Sequence, residues 1–214
     1  FCPEGLNGEC VYLKHGRTWG PPVLRRVKIR ETRKVGEYMV ADSVEGLVAM
    51  MQMNWIEVHT WNVTTEHLEQ PDRLVIDLDP GPDVTWPAVV AAARETRALL
   101  DAHGLASWVK TTGGRGLHVV APLVPEAEWA AGLRFAERIA AELVQAAPRR
   151  YTTNFSKAGR ERQILVDVLR NNRANTAVAA YSPRARAGAP VSTPLAWDEL
   201  SARRPPQRFT VQTV

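Results

Sequence analysis

The chain has 214 residues, of which 45% are hydrophobic and 23% are charged, the composition of a folded globular protein rather than a disordered one. No stretch approaches the roughly 18 consecutive apolar residues of a membrane span, and no signal-peptide pattern opens the chain. The net charge of +4 at pH 7 is mildly basic, which by itself is weak support for a polyanionic partner.

The first 22 residues are rich in glycine and proline and hold both cysteines of the chain, Cys2 and Cys10. Two cysteines are too few for a disulfide framework, and neither belongs to a cluster with zinc-site spacing. A reduced, cytoplasmic setting is therefore predicted. Because the chain begins with Phe1 rather than methionine, we expect it to be part of a longer protein.

Hydrophobic periodicity and turn residues predict the elements that follow. The predicted strands are 23–29, 36–41, 55–61, 73–79 and 162–169, with a strand–glycine turn–strand unit at 107–123. The predicted helices run from a Ser43 cap to near Asn54, from Thr85 and Pro87 to Gly104, over 126–147, and briefly after Thr193. Strands and helices mix without strict βαβ spacing and without an internal repeat. This pattern predicts an α+β fold with mostly antiparallel pairing, in one domain spanning 1–214.

The run RLVIDLDPGP at 73–82 is a buried-strand pattern that carries two acidic residues, Asp77 and Asp79. Residues two apart in a strand point to the same face, so the two carboxylates lie side by side. Like charges that close are costly unless a cation lies between them. A third carboxylate, Asp167, ends a second apolar strand. Three such groups on rigid strands predict a two-metal site for phosphoryl transfer, although an Asp pair before Pro-Gly is also common turn chemistry.

The segment TTGGRGLH at 111–118 is the second candidate element. Gly113, Gly114 and Gly116 allow backbone N–H groups to approach an anion, and Arg115 and His118 add cationic or donor groups. The segment is not a Walker loop, because it lacks the G-x-x-x-x-G-K-[ST] pattern and joins two strands. The alternatives are a plain hairpin turn and a structural histidine at the start of a buried strand.

Basic residues recur along the chain in short clusters, of which SKAGRER at 156–162 contains Lys157 and Arg160. Arginines near metal-bound carboxylates commonly hold phosphates, which makes Arg160 and Arg184 candidates, although surface charge is the alternative. His59 shares a strand face with Glu57 and Trp61, and that face is either half-buried or solvated.

Three function classes are compatible with these features. Nucleotidyl transfer uses the carboxylates together with a triphosphate-binding loop. A metal-dependent nuclease or phosphatase would use the same carboxylates to activate water and would not need that loop. A nucleic-acid-binding fragment with little or no catalysis would use only the basic segments.

Three stretches in order, DLDPG, TTGGRGLHVVAPL and ILVDVLRNNRANTAVAAYSPRARAGAPVSTPL, closely resemble the polymerase domain of bacterial ligase D, a member of the archaeo-eukaryotic primase superfamily. VLRRVKIRETRKVGEYMVADS and IEVHTWN are similar to that family too. The resemblance implies a primase-type catalytic core, with an RRM-like sheet, a second small sheet and flanking helices. Members of that family have an additional N-terminal segment, with lysines that grip the 5′ phosphate of a downstream strand, which we expect to be missing from this chain, so that only Lys14 and His15 remain of that neighbourhood.

The resemblance further implies roles for individual residues. The metal ligands would be Asp77, Asp79 and Asp167, holding two ions, with Mn²⁺ favoured over Mg²⁺. The nucleotide-binding residues would be His59, Thr112, Gly114, Arg115, Gly116, His118 and Arg184, with threonine at 112 where the family usually has serine. The nucleic-acid contacts would be Lys14, Lys157 and Arg160.

The implied activity is template-directed addition of nucleotides, preferably ribonucleotides, at gaps and broken DNA ends in bacterial non-homologous end joining. The implied partners are DNA, NTP or dNTP, a Ku-like protein, and covalently linked ligase and nuclease domains. No membrane partner is implied. A monomeric domain in the nucleoid-containing cytoplasm is expected.

Overall fold

The computed structural model of the protein describes residues 1–16 and 20–214. The described part of the chain forms ten strands, β1 to β10, and three α-helices, α1 to α3. The strands are β1 Arg25–Arg30, β2 Val35–Val40, β3 His59–Thr60, β4 Arg73–Pro80, β5 Trp108–Thr111, β6 Leu117–Pro122, β7 Tyr151–Thr152, β8 Ile164–Asp167, β9 Ala177–Val178 and β10 Pro194–Leu195. The helices are α1 Val44–Gln52, α2 Trp86–Ala102 and α3 Trp129–Ala146.

The main sheet has six strands in the order β10-β5-β6-β4-β8-β7. Every neighbouring pair is antiparallel except β7 and β8, which run parallel. Two small sheets, β1-β2 and β3-β9, accompany it. The α+β class and the mostly antiparallel pairing predicted from the sequence are confirmed.

Strand β4 lies in the middle of the sheet and shows why one face forms the core and the other the site. Leu74, Ile76 and Leu78 are almost fully buried and belong to the main hydrophobic core, which also contains buried residues of α2 and α3. The alternate positions Asp77 and Asp79 face the other side. Burial of the apolar face is the dominant stabilising term for such a sheet, so the core fixes the carboxylates in place.

The helix predicted after Thr193 is wrong, because Pro194–Leu195 forms the edge strand β10 of the main sheet. Thr193 holds this strand by accepting a hydrogen bond from the backbone N–H of Thr111 at 2.9 Å, while its own N–H donates to the Thr111 hydroxyl at 2.8 Å. Proline lacks an N–H, which an edge strand tolerates. Sheet pairing therefore overrides the local helix pattern.

Two other predictions are corrected. The strand predicted over 55–61 is reduced to His59–Thr60, which pairs with Val178 and Ala177. Cys2 and Cys10 are joined in a disulfide, so the reduced state expected of both cysteines is wrong for this structure. Among the described residues, none of the helices combines the length and apolar character needed to cross a bilayer.

Candidate active site

A single cross-strand row brings four ionisable side chains together on the open face of the main sheet. Lys110 on β5 pairs with His118 on β6, His118 pairs with Asp77 on β4, and Asp77 pairs with Asp167 on β8. Directly opposite residues in antiparallel strands have Cβ atoms about 4.5–5.5 Å apart. The expectation that Asp167 lies at the same depth as Asp77 is thus confirmed.

The central carboxylate is Asp77, which is nearly buried and has two basic neighbours. Its Oδ2 atom lies 3.4 Å from His118 Nε2 and 3.4 Å from Arg170 Nε. Asp167 accepts a hydrogen bond from the backbone N–H of Leu169 at 2.8 Å and lies 3.4 Å from Arg170 Nη2. The guanidinium group of Arg170 therefore bridges the two carboxylates.

The pKa values of the two paired carboxyl groups, Asp77 and Asp167, are shifted in opposite directions. Burial acts to raise the pKa of Asp77, but His118 and Arg170 outweigh it and hold the pKa below its usual range. Burial raises the pKa of Asp167, and the hydrogen bond from Leu169 and the charge of Arg170 only partly oppose this. Neighbouring acids with pKa values pushed apart are typical of functional sites.

The carboxylates fit a site for hard divalent cations in their chemistry and their placement. Oxygen ligands are those that Mg²⁺ and Mn²⁺ prefer. A cation between Asp77 and Asp167 would relieve the repulsion between the two carboxylates, which Arg170 now partly neutralises. Asp79, whose side chain is 54% exposed, has Arg160 Nη2 at 3.3 Å from its Oδ2 atom. Within residues 1–16 and 20–214, no three acidic, histidine or cysteine side chains lie close enough together to hold a metal ion. The three carboxylates are instead paired with Arg160 and Arg170.

The two ring nitrogens of His118 differ in their surroundings: Nε2 pairs with Asp77, and Nδ1 is buried. Its side chain is 3% exposed, and its Nδ1 atom has no hydrogen-bond partner among the described residues. Burial lowers the pKa of His118 despite the opposing effect of Asp77. A buried polar atom without a partner is uncommon in a folded protein.

The glycine segment forms the tight hairpin between β5 and β6, as predicted. Gly116 lies so close to β4 that a Cβ atom there would be 2.4 Å from the Leu78 carbonyl oxygen. Glycine is therefore required for the hairpin to lie beside the two aspartates. Within the turn, the Thr112 hydroxyl accepts from the Gly114 N–H and donates to the Gly116 carbonyl, both at 3.2 Å. Arg115 donates to the carbonyls at 82 and 84.

Every residue predicted for catalysis or nucleotide binding lines one pocket of about 250 Å³ over the carboxylate row. These are His59, Asp77, Asp79, Thr112, Gly114, Arg115, Gly116, His118, Asp167 and Arg184. The lining also contains four residues that were not singled out from the sequence: Arg170, Thr176, Val178 and Arg186. The sequence feature that could have identified Arg170 is its position three residues after Asp167, which lets it pair with that carboxylate. It lies within the 3₁₀ turn Leu169–Asn171.

Comparison with known proteins places this geometry in a family. The whole chain, residues 1–214, matches the LigD primase-polymerase domain family. The chain belongs to that family. It is accordingly a nucleotidyltransferase domain of the kind found in LigD end-joining proteins.

Several LigD proteins are similar to this domain. The multifunctional non-homologous end joining protein LigD of Pseudomonas aeruginosa PAO1 is 35% identical over 212 residues, 99% of the chain and 25% of that protein. The bifunctional LigD of Bacillus subtilis 168 is 30% identical over 213 residues, 99% of the chain and 34% of that protein. The chain thus spans about a quarter to a third of these curated relatives.

A solved structure shares the fold. It is a polymerase domain from Mycobacterium tuberculosis ligase D in complex with DNA, with a TM-score of 0.86 and 31% sequence identity. The match covers 92% of this chain and 72% of that one. The primase-type fold expected for the LigD polymerase domain is therefore confirmed.

The three residues predicted to contact nucleic acid lie outside the pocket lining of this LigD-type domain. Arg160 approaches the pocket mouth through Asp79, and its side chain is 12% exposed. Lys157 is exposed in the loop before β8. Lys14 lies 3.6 Å from Glu31 and lines a neighbouring groove of about 790 Å³. The structure therefore does not bring these three residues together in the pocket.

Lys110 ends the ionisable row and gives a prediction about stability and pH. Its Nζ donates to the Ser192 hydroxyl at 2.7 Å, and burial lowers its pKa to about 7. Between that value and the ordinary value of 10.5, the unfolded chain binds more protons than the folded one, so stability rises with pH. Each pH unit adds at most roughly 1.4 kcal/mol to the free energy of unfolding.

Replacing Lys110 with methionine removes this titration. Urea unfolding at pH 7.0, 8.0 and 9.0 is expected to show the wild type gaining stability relative to Lys110→Met with each step. Measurements stay below pH 9.5 because Tyr38 and Tyr151, whose pKa values are raised, titrate at higher pH. Parallel pH dependences of the two proteins would contradict the assignment.

Proposed function

We propose that this domain is a template-directed polymerase that adds nucleotides, preferably ribonucleotides, at gaps and broken ends of DNA during bacterial end joining. The observation that carries the proposal is the register of Asp77 between His118 and Asp167, at the floor of a pocket walled by arginines. The DNA bound to the similar mycobacterial domain supports nucleic acid as the partner.

The three aspartates would hold one metal ion for each of the two reacting groups, the primer 3′ hydroxyl and the nucleotide triphosphate. Asp77, Asp79 and Asp167 would hold one ion beside the primer 3′ hydroxyl, and Asp77 and Asp79 would hold a second ion on the triphosphate. Such ions supply Lewis-acid activation of the hydroxyl and neutralise phosphate charge. Mn²⁺ is the ion we propose, in preference to Mg²⁺.

The basic side chains of the pocket bind and orient the triphosphate. Arg115 and Arg184 both line the pocket, and their guanidinium groups suit phosphate oxygens. His118 lines the same pocket and would contact the same ligand. Fixed donors aimed at the leaving pyrophosphate stabilise the charge that develops there. The Thr112 hydroxyl and the Gly114 and Gly116 backbone keep the hairpin close to this charge.

The protein context is proposed from the relatives. We assign residues 1–214 to one monomeric catalytic domain of a longer protein, acting with ligase and nuclease domains and a Ku-like end-binding protein near the nucleoid. Lys14, Lys157 and Arg160 are proposed to contact the DNA strands around the pocket.

The experiment is extension of a labelled primer across a templated gap with this domain. Ribonucleotides and deoxynucleotides are compared, each with Mn²⁺ and with Mg²⁺, while DNA binding is followed by fluorescence anisotropy. We expect extension that is fastest with Mn²⁺ and ribonucleotides. DNA binding without extension under all four conditions would favour a binding fragment, and shortening of the primer would favour a nuclease.

A further inference from the structure

Glu57 is a carboxylate that stands behind the catalytic pocket and was not assigned a function above. It lies two residues before β3, and its side chain is 23% exposed. It lines the neighbouring groove and is not among the residues that line the catalytic pocket. Any effect of Glu57 on the pocket must therefore act through the residues that it contacts.

Two of those residues are predicted nucleotide contacts from distant parts of the chain. Glu57 Oε1 lies 2.7 Å from His59 Nε2 and 2.9 Å from Arg184 Nε. Its other oxygen, Oε2, accepts the backbone N–H of Ala185 at 3.1 Å. One carboxylate thus ties the strand that carries His59 to the loop that carries Arg184.

The network continues to the glycine hairpin. Arg184 donates through Nη1 to the Thr112 carbonyl, so this guanidinium reaches from Glu57 to the start of the hairpin turn. The backbone of Val58 is also held, since its N–H donates to the Ser182 hydroxyl at 2.8 Å. Two walls of the pocket are therefore joined through side chains that converge on Glu57.

Glu57 carries a negative charge next to the basic side chains of His59 and Arg184. Burial acts to raise its pKa, but the hydrogen bonds from His59 and the Ala185 N–H and the ion pair with Arg184 outweigh burial and lower the pKa to about 2. The group is consequently ionised at neutral pH. Charge-assisted hydrogen bonds of this kind are the stronger class.

We propose that Glu57 is a positioning residue that presets His59 and Arg184 for the triphosphate of the incoming nucleotide. The inference rests on the proposed function, because it assumes that these two residues contact that ligand. A site whose binding side chains are locked before the ligand arrives binds more tightly, since less conformational freedom is lost on binding.

The test measures nucleotide binding directly, so that it does not depend on catalysis. The probe is an α,β-methylene nucleoside triphosphate, which cannot be incorporated, titrated with Mn²⁺ into the wild type, Glu57→Gln and Glu57→Ala. We expect binding about tenfold weaker in Glu57→Ala, because both partners lose their anchor, and an intermediate loss in Glu57→Gln, which keeps the shape without the charge. The KM for nucleotide should rise in extension assays with a smaller change in kcat.

The matched control is Glu69→Gln. Glu69 also pairs with an arginine, Arg173, at 2.7 Å, but it lies outside the pocket lining and is 56% exposed. This variant should bind the analogue like the wild type. Thermal unfolding of each variant excludes a folding defect, and Glu57→Gln keeps the comparison available should Glu57→Ala unfold.

The outcomes separate the two hypotheses. Wild-type affinity in both Glu57 variants would overturn the positioning role and leave the proposed polymerase function intact. A wild-type protein that binds no triphosphate analogue would overturn both. Graded weakening from Glu57→Gln to Glu57→Ala, with Glu69→Gln unchanged, supports the inference.

Discussion

Asp77→Asn is expected to abolish nucleotide addition, lowering the rate by about 10³-fold or more, as loss of a principal electrostatic group in an active site does. Asp77 is the one carboxylate of the row that has direct partners on both sides, His118 and Asp167. Asparagine keeps the shape of the side chain and removes the charge that would hold both ions. Single-turnover extension of a labelled primer measures the loss.

DNA binding should survive the same substitution. Asp77 carries negative charge, so its removal takes away no phosphate contact and leaves the salt dependence of DNA binding unchanged. Asp72→Asn is the matched control, because Asp72 lies just before β4 and its carboxylate pairs with Arg73, at 2.7 Å, outside the pocket lining. Extension by Asp77→Asn at the rate of Asp72→Asn would contradict the assignment of the carboxylates.

Asn171→Ala is expected to cause the largest loss of stability, about 2–5 kcal/mol in the free energy of unfolding, since buried backbone groups would lose their partners. Asn171 is 2% exposed. Its Oδ1 accepts the Val75 N–H at 2.8 Å, and its Nδ2 donates to the carbonyls of Val75 at 2.7 Å and Val168 at 2.8 Å.

The backbone of Val75 needs the side chain of Asn171 because the neighbouring strand ends before it reaches Val75. Strand β8 ends at Asp167, where it pairs with Asp77, and Val75 lies two residues beyond that pair along β4. The side chain of Asn171 replaces the missing strand by bonding both backbone groups of Val75. Its loss would also loosen the turn that carries Arg170.

Urea unfolding of Asn171→Ala and Asn172→Ala provides the measurement. Asn172 is adjacent and exposed, and its replacement should change stability by less than about 0.5 kcal/mol, as is usual for surface positions. Asn171→Asp keeps the acceptor and loses the two donated bonds, so it should also be destabilised. Equal midpoints for the Asn171 and Asn172 alanine variants would show that Val75 needs no side-chain partner.

The sequence predicts those parts of the fold that local patterns determine. The alternation in RLVIDLD identifies a strand with an apolar face and an acidic face, and the structure shows both. The glycines at 113–116 identify a hairpin, and Ser43 caps α1 by accepting the Gly46 N–H at 3.0 Å. Period and capping are local properties, so one sequence suffices to read them.

Features that depend on distant partners could not be predicted. The segment after Thr193 has a helical pattern, yet pairing with β5 makes it an edge strand. Glu57 and Arg184 are more than a hundred residues apart, and nothing local indicates that they form an ion pair. Arg170 is one of many arginines, and only the fold shows that it bridges Asp77 and Asp167.

The most direct test of the central claim is extension across a one-nucleotide gap, carried out with each of the four template bases in turn. The wild type is compared with the Asp77→Ala, Asp79→Ala double variant in the presence of Mn²⁺ and all four ribonucleotides. We predict that the wild type adds the nucleotide complementary to each template base, while the double variant binds the gap and adds none. Addition that ignores the template base, or that persists in the double variant, would contradict the account.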